Sequence, residues 1–261
     1  MSISSSGFTT VDGCRLEYEW HGPLPSKAPT IVFLHEGLGA ISRWRDFPAA
    51  VSGRLGYGAL VYNRRGYGRS DPLAPPLSQD FMHREALEVL PRLIEVFDID
   101  RPVLCGHSDG GSIALIYAGS RLAPPIALIL EAPHVFVEDV TVTSIADIRN
   151  SYRSSGLRNR LERHHGANVD LLFESWTDVW LSDRFRDWTI EEYLPRITCP
   201  TLVIQGRDDE YGTLKQVQAI SAGVPGTIET LLLDRCGHTP HIDRGEEVAA
   251  ATVRFLQGFT Q

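Results

Sequence analysis

The 261-residue sequence lacks the features of a membrane, secreted or nucleic-acid-binding protein. No segment approaches the roughly 20 apolar residues that a membrane-spanning helix needs. The opening MSISSSGFTT has no basic stretch followed by an apolar one, so it does not predict a signal peptide. Lysine and arginine number 25 against 33 acidic residues, a net charge of −8, which gives no general attraction for nucleic acid or anionic membranes. We therefore expect a cytoplasmic protein that binds neither.

Cysteine is sparse and scattered. The four cysteines form no CxxC pair and have no metal-ligand spacing, so we interpret them as reduced structural residues. The glycine-containing segment at 66–71 (GYGRSD) is not a phosphate-binding loop, because no strand–GxxxxGK[ST]–helix pattern surrounds it. The sequence thus predicts no metal and no cofactor.

Short apolar runs of strand length alternate with helical stretches along most of the chain. These runs are Thr30–His35, Ala59–Tyr62, Pro102–Cys105, Ile126–Leu130, Thr201–Gln205 and Thr230–Leu233. Such alternation predicts an α/β protein with a mostly parallel sheet and helices on both faces. Helical spacing is evident at Phe81–Phe97 and Glu246–Phe259. The runs Phe8–Val11 and Arg15–Trp20, joined through Asp12-Gly13, predict an antiparallel edge hairpin.

The segment 134–196 breaks the alternation, because it contains helical patterns and no clear strand. We interpret it as a helical cap inserted over the carboxyl edge of the sheet. The core domain would then comprise 1–133 and 197–261. An ordinary pair of surface helices is the alternative.

Aromatic residues are concentrated in this same segment. It holds Trp176, Trp180 and Trp188, three of the five tryptophans, together with Phe173. Large aromatic side chains often build ligand pockets, so we predict that these four line an apolar substrate pocket. Anchoring of the cap to the sheet is the competing interpretation.

The segment GHSDGG at 106–111 contains the most informative pattern in the chain. It matches G-x-S-x-G between a predicted strand and a predicted helix, the context of a nucleophile elbow. The tight turn holds the serine at the top of the sheet, and the flanking glycines avoid collisions with the neighbouring strand and helix. We therefore predict Ser108 as a nucleophile.

A serine hydroxyl needs a base to remove its proton, and a carboxylate usually orients that base. His238 follows the last predicted strand, and the consecutive acids Asp208, Asp209 and Glu210 follow the TLVIQ strand. Both loops lie at carboxyl ends of strands, where open α/β sheets bind ligands. His238 is the predicted base, while the three acids are all candidates for its partner.

An acyl-transfer site also needs two donors for the oxyanion. The backbone N–H of Asp109, the residue after the nucleophile, is the first predicted donor. The second should come from the loop HEGLG at 35–39, with Gly37 as first choice and Leu38 as second.

These motifs together resemble those of the α/β-hydrolase fold superfamily along nearly the whole chain. The matching stretches are HEGLG at 35–39, NRRGYGRSDP at 63–72, GHSDGG at 106–111, GRDD at 206–209 and CGH at 236–238. The resemblance implies an eight-stranded sheet and a cap after the sixth strand. It also implies a triad of Ser108, Asp209 and His238, since relatives place the acid three residues after the glycine that ends its strand. The chain departs from the common His-Gly at Glu36.

The predicted activity is cofactor-independent hydrolysis of a small carboxylic ester or lactone. Serine at the elbow argues against haloalkane dehalogenase and epoxide hydrolase chemistry, for which relatives use aspartate at this position. Hydrolysis of a C–C bond in a ring-fission diketone is the nearest alternative. A ligand-binding protein with this fold is the alternative from another class. Glu36 and Asp109 flank the predicted oxyanion site, where two carboxylates would disfavour anionic substrates; a helix-dipole role for Asp109 is the simpler interpretation.

Overall fold

The computed structural model describes residues 3–259, which contain one eight-stranded sheet. Its strands are β1 Ser6–Val11, β2 Cys14–His21, β3 Thr30–Leu34, β4 Gly58–Tyr62, β5 Pro102–His107, β6 Ala127–Glu131, β7 Thr201–Gly206 and β8 Ile228–Leu233. Their order across the sheet is β1-β2-β4-β3-β5-β6-β7-β8. The pairs β1–β2 and β2–β4 are antiparallel and all other pairs are parallel. The predicted mostly parallel sheet of eight strands is confirmed.

The helices cover both faces of this sheet. They are α1 Phe47–Leu55, α2 Phe81–Arg84, α3 Leu90–Val96, α4 Asp109–Ala118, α5 Asp139–Ser151, α6 Leu157–His165, α7 Val169–Trp180, α8 Leu214–Gly223, α9 Pro240–Asp243 and α10 Gly245–Gln257. A π-helical turn, Glu85–Val89, joins α2 to α3. Alternate residues of each strand face opposite layers: Val32 and Leu34 of β3 join one apolar cluster, while Ile31 and Phe33 join the other. No helix within residues 3–259 is long and apolar enough to cross a membrane.

Three helices, α5, α6 and α7, occupy the crossover from β6 to β7. Helix α7 packs against both α5 and α6. Its buried residues include Trp176 and Trp180, which belong to the large apolar cluster that continues into the sheet. One isolated β-bridge pairs Phe136 with Thr189 at the two ends of the crossover segment. The helices therefore dock on the sheet through α7.

The turn from β5 to α4 is the most constrained part of the backbone. Ser108 has φ +54° and ψ −118°, a conformation that costs a non-glycine residue free energy. A Cβ atom at Gly106 would lie 2.2 Å from the Gly110 carbonyl oxygen, and one at Gly110 would lie 1.9 Å from that of Leu34. All ten residues of α4 are buried. Close packing on every side thus holds Ser108 in its strained conformation.

Substitution of Gly110 tests this account against a matched glycine elsewhere. We expect Gly110→Ala to lower the free energy of unfolding by about 3 kcal/mol or more, because its Cβ would collide with backbone that has no room to move. Gly53→Ala, in exposed α1 with no atom within 4 Å of the added carbon, should instead stabilise by about 0.5–1 kcal/mol. Urea unfolding of both variants measures the difference, and equal effects would contradict the packing argument.

Candidate active site

Three side chains from separate loops meet at the carboxyl edge of the sheet. His238 Nε2 lies 2.9 Å from Ser108 Oγ, and His238 Nδ1 lies 2.9 Å from both carboxylate oxygens of Asp209. Ser108 follows β5, Asp209 follows β7, and His238 follows β8. Because a carboxylate accepts the proton on Nδ1, Nε2 is left with a lone pair directed at the serine hydroxyl. The arrangement can therefore remove the proton of Ser108 during attack on a carbonyl.

The structure distinguishes the three consecutive acids after β7. The side chain of Asp209 is 1% exposed, and its Oδ1 accepts from the backbone N–H groups of Tyr211, at 2.7 Å, and Gly212, at 3.1 Å. Burial opposes ionisation, but His238 and these donors outweigh it and lower the pKa of Asp209. Asp208 is exposed, and Glu210 accepts only a long bond from the backbone N–H of His238. Of the three acids, Asp209 is the one whose carboxylate bonds to the imidazole ring.

Arg207 does not pair with its neighbour Asp208. Its Nε lies 2.9 Å from Asp234 Oδ1 instead. The parallel pairing of β8 with β7 brings Asp234 beside Arg207, a contact between distant positions that the local sequence does not reveal.

The predicted oxyanion residues Gly37, Leu38 and Asp109 lie beside Ser108 on the wall of one cavity. The phenol of Tyr67 donates to the Gly37 carbonyl oxygen at 2.7 Å and so fixes this peptide group. Within residues 3–259, the backbone N–H groups of Gly37 and Leu38 donate to no other group of the protein. Both are therefore free to donate to a bound oxygen, and the choice between them stays a prediction.

The indole of Trp176 joins α7 to the nucleophile elbow. Its Nε1 donates to Asp109 Oδ2 at 2.9 Å, and its ring packs so closely on Gly37 that a Cβ there would lie 2.4 Å from Nε1. Asp109 is fully buried, and burial raises its pKa despite the opposing charge of Arg64. Trp176 thus supports both segments that carry the predicted oxyanion donors.

Removal of this one indole N–H should destabilise the folded protein. We expect Trp176→Phe to lower the free energy of unfolding by about 1–3 kcal/mol, because Asp109 Oδ2 would lose its donor within the interior. Trp188→Phe is the matched control: the Trp188 Nε1 is also buried but has no partner within residues 3–259, so its loss removes no hydrogen bond. Thermal unfolding of both variants tests the idea. A Trp188→Phe variant destabilised as much as Trp176→Phe would contradict it.

The cavity above Ser108 has a volume of about 300 Å³. Its apolar wall comes largely from the crossover helices, with Ile145 and Ile148 on α5, Leu157 and Leu161 on α6, and Trp176 and Trp180 on α7. Such a space suits a small acyl group. Trp176 and Trp180, two of the aromatic residues singled out by the sequence, are part of this wall.

The structure does not place Phe173 and Trp188 on this wall. Phe173 stacks on Tyr152, with ring centroids 3.7 Å apart, in a small apolar cluster with Leu161 and Val169. Trp188 stacks on Phe185 at 5.3 Å and packs against Trp180. These two rings therefore do not line the cavity, contrary to the prediction. They join parts of the crossover segment to one another instead.

Several lining residues were not predicted from the sequence. Arg43, Arg160 and His164 contribute positive or titratable groups to the cavity wall, and Glu36 does lie there as predicted. His134, at the start of the crossover, also lines the cavity, and burial lowers its pKa to about 3. Spacing within α6 could have indicated Arg160 and His164, which lie four residues apart on one face.

With the fold and site described, comparison with known proteins identifies the family. The sequence model of the Alpha/beta hydrolase family matches residues 31–251, so the chain belongs to that family. The fold and the Ser–His–Asp geometry agree with this assignment.

Individual relatives have different activities. The chain is 26% identical to a 2-hydroxy-6-oxononadienedioate/2-hydroxy-6-oxononatrienedioate hydrolase of Cupriavidus pinatubonensis, over 97% of this chain and 95% of that protein. It is 25% identical to a proline iminopeptidase of Saccharolobus solfataricus, over 85% and 82% of the two chains. The solved enol-lactonase of Burkholderia xenovorans LB400 matches with a TM-score of 0.75 at 20% identity, over 96% of this chain and 100% of that one. These relationships identify the protein as a hydrolase-fold enzyme. The named relatives differ from one another in the bond that they cleave.

Proposed function

We propose that the protein is a cofactor-independent serine hydrolase that cleaves a small carboxylic ester or lactone. The observation that carries this proposal is the continuous contact of Ser108, His238 and Asp209 at the floor of a cavity of about 300 Å³. A cavity of this size with apolar walls accommodates a short acyl chain better than a polymer or a lipid with long chains.

In this proposal, Ser108 Oγ attacks the ester carbonyl as His238 takes its proton. The tetrahedral oxyanion is stabilised by the backbone N–H of Asp109 and that of Gly37, with Leu38 as the second choice. His238 then protonates the leaving alcohol, and an acyl group stays on Ser108. Water, deprotonated by His238, then attacks the acyl carbon. His238 gives that proton to Ser108 Oγ as the acyl C–O bond breaks, which releases the acid. Asp209 stabilises the imidazolium in both halves.

We further propose that 134–196 acts as a cap and that 1–133 with 197–261 form the catalytic core. Helices α5, α6 and α7 support this division, because they supply most of the apolar wall of the cavity and none of the three groups in the triad. Changes in α5 and α6 should therefore alter acyl preference more than the rate of the chemical step.

Hydrolysis of a C–C bond next to a ketone is a second candidate. The relative from Cupriavidus pinatubonensis, named as a hydrolase of a dienedioate and a trienedioate, favours it. Arg160 adds to this, since its guanidinium lines the cavity and has no carboxylate partner within residues 3–259, so it could hold a substrate carboxylate.

A substrate panel tests the proposal. The purified protein would be assayed for multiple turnover on acetyl, butyryl and octanoyl esters of p-nitrophenol, on ring lactones and on a ring-fission diketone. We expect kcat/KM to be highest for a short acyl ester or a lactone. A diketone cleaved far faster than every ester would favour the second candidate, and a single stoichiometric burst without turnover would indicate a binding protein.

A further inference from the structure

His107, the residue before the nucleophile, lies between the two loops that flank the reaction centre. Its ring is buried, with 1% of the side chain exposed. Nε2 lies 2.6 Å from the backbone carbonyl oxygen of His238, and Nδ1 lies 3.4 Å from Glu36 Oε2. One imidazole thus bridges the HEGLG loop, where Gly37 lies, to the loop that carries the base.

The chemistry of the two neighbours determines where the protons of His107 are. A carbonyl oxygen only accepts, so the short contact to His238 requires a proton on Nε2. A neutral ring would then direct the lone pair of Nδ1 at the Glu36 carboxylate, which is repulsive. A proton on Nδ1 replaces that repulsion with an ion pair. This contact is an ion pair rather than a hydrogen bond, because neither His107 Nδ1 nor Glu36 Oε2 has a hydrogen-bond partner within residues 3–259, and its geometry favours the imidazolium form.

The other groups around His107 are consistent with this charge. They are Glu131 on β6, His241 on α9, and the rings of His238 and His134. Glu131 is fully buried, and its Oε2 accepts from both the backbone N–H and Nδ1 of His241. Burial opposes the charged form of His107, but Glu36 first, and then Glu131 and the His238 carbonyl, outweigh it and raise its pKa.

Glu36 is likewise held as a carboxylate. Its Oε1 lies 3.5 Å from Arg43 Nε, and its Oε2 occupies the space beside Gly39, where a Cβ would lie 2.1 Å away. Burial opposes ionisation, yet His107 and Arg43 lower the pKa of Glu36 well below its usual value. The loop therefore wraps around its own charged side chain.

We propose that His107 is a positioning residue: as an imidazolium paired with Glu36, it holds the main chain of His238 in register with the oxyanion loop. This inference rests on the proposed hydrolase function, because the two loops it joins carry the base and one oxyanion donor. It also explains Glu36, the residue at which the chain departs from the common His-Gly. No hydrogen bond joins either side chain to the Ser108 hydroxyl within residues 3–259, so the pair acts on alignment.

Direct observation of the protons is the first test. Nitrogen-15 NMR of histidine-labelled protein would follow the nine imidazoles from about pH 6 to about pH 10. The His107 signals are those missing from His107→Asn. We expect both nitrogens of His107 to keep their protons to a higher pH in the wild type than in Glu36→Gln, because the Glu36 carboxylate raises the pKa of the ring. A ring that loses its proton at the same pH in both proteins overturns the proposal, whether or not the protein hydrolyses esters.

Kinetics supply the second test. His107→Asn should lower kcat for methyl butyrate by about 10- to 100-fold with little change in KM, the signature of misplaced rather than missing groups. In the wild type, kcat should fall at alkaline pH as His107 loses its proton. That alkaline fall should be absent in Glu36→Gln and in His107→Asn, a difference that a merely structural role would not produce. Its persistence in Glu36→Gln overturns the proposal.

The matched control is Glu17→Gln. Glu17 lies on β2, outside the cavity lining, and pairs with Arg69. Its side chain is 12% exposed, close to the 15% of Glu36. Its loss should lower the melting temperature but leave kcat and the pH profile unchanged. A control that loses as much kcat as His107→Asn overturns the positioning role. Absence of turnover in the wild type would contradict the hydrolase function instead, with the NMR result still deciding the charge of His107.

Discussion

The Ser108→Ala variant is expected to lose about 10⁶-fold in kcat on a short ester. No other hydroxyl contacts His238 Nε2 within residues 3–259, so the base would have no nucleophile to activate. The fold should persist, since alanine fits the space and removes only a hydroxyl. A residual rate of about 10³- to 10⁴-fold over water should remain, because the oxyanion donors and the cavity are unchanged. Steady-state kinetics and circular dichroism together measure the loss and the integrity of the fold.

Ser112→Ala is the control for this experiment. Ser112 is also a buried serine of α4, one turn beyond the elbow, and its hydroxyl donates to the His134 carbonyl oxygen at 2.6 Å. Its loss should reduce stability while most of the activity remains. Loss of the nucleophile in other triads leaves far less than about one percent of wild-type turnover. If Ser108→Ala retained more than that, Ser108 would not be the nucleophile.

Asp209→Asn should lower kcat by up to about 10⁴-fold. An asparagine can accept the Tyr211 and Gly212 N–H groups through its oxygen, which leaves its amide N–H to face His238 Nδ1. The imidazole would then take the tautomer with its proton on Nε2 and could no longer accept the proton of Ser108. The contacts to the two backbone N–H groups would be retained while the chemistry fails.

Asp208→Asn gives the comparison within the same loop. Asp208 is exposed, and an exposed carboxylate contributes about 1 kcal/mol or less, so little loss of rate is expected. Both variants would be assayed on one ester under identical conditions. A severe loss in Asp208→Asn beside a mild one in Asp209→Asn would reverse the proposed roles of the two acids.

The sheet and the elbow could be predicted because local rules determine them. Apolar runs of strand length indicated the central strands, and G-x-S-x-G between a strand and a helix indicated the turn at Ser108. The sequence rules left Asp208, Asp209 and Glu210 open, and the family resemblance favoured Asp209. In the structure, Asp209 is the one that turns inward to accept the two backbone N–H groups beyond it. Order along the chain, together with the spacing implied by the family resemblance, was thus enough to predict the three residues that meet.

Contacts between distant positions could not be predicted in the same way. Glu36 and His107 are each adjacent to a recognised residue, yet only the pairing of β3 with β5 brings them together. The aromatic residues show a second limit. Phe173, Trp176 and Trp180 have helical spacing, but the cavity covers only the later part of this stripe, and Tyr152 covers Phe173. Periodicity identifies the buried stripe of a helix but not what packs against each turn of it.

The crossover from β6 to β7 separates the nucleophile from its two partners along the chain. Ser108 lies before it, and Asp209 and His238 lie after it, while Arg153–Ser155 between α5 and α6 is exposed. A polypeptide cut in that loop would give two fragments, neither of which holds a complete triad. Enzyme activity on mixing them would then report reassembly of the two halves, with β7 adding to the edge strand β6. The same insertion that builds the cavity would make this protein suitable as a split-enzyme reporter of association.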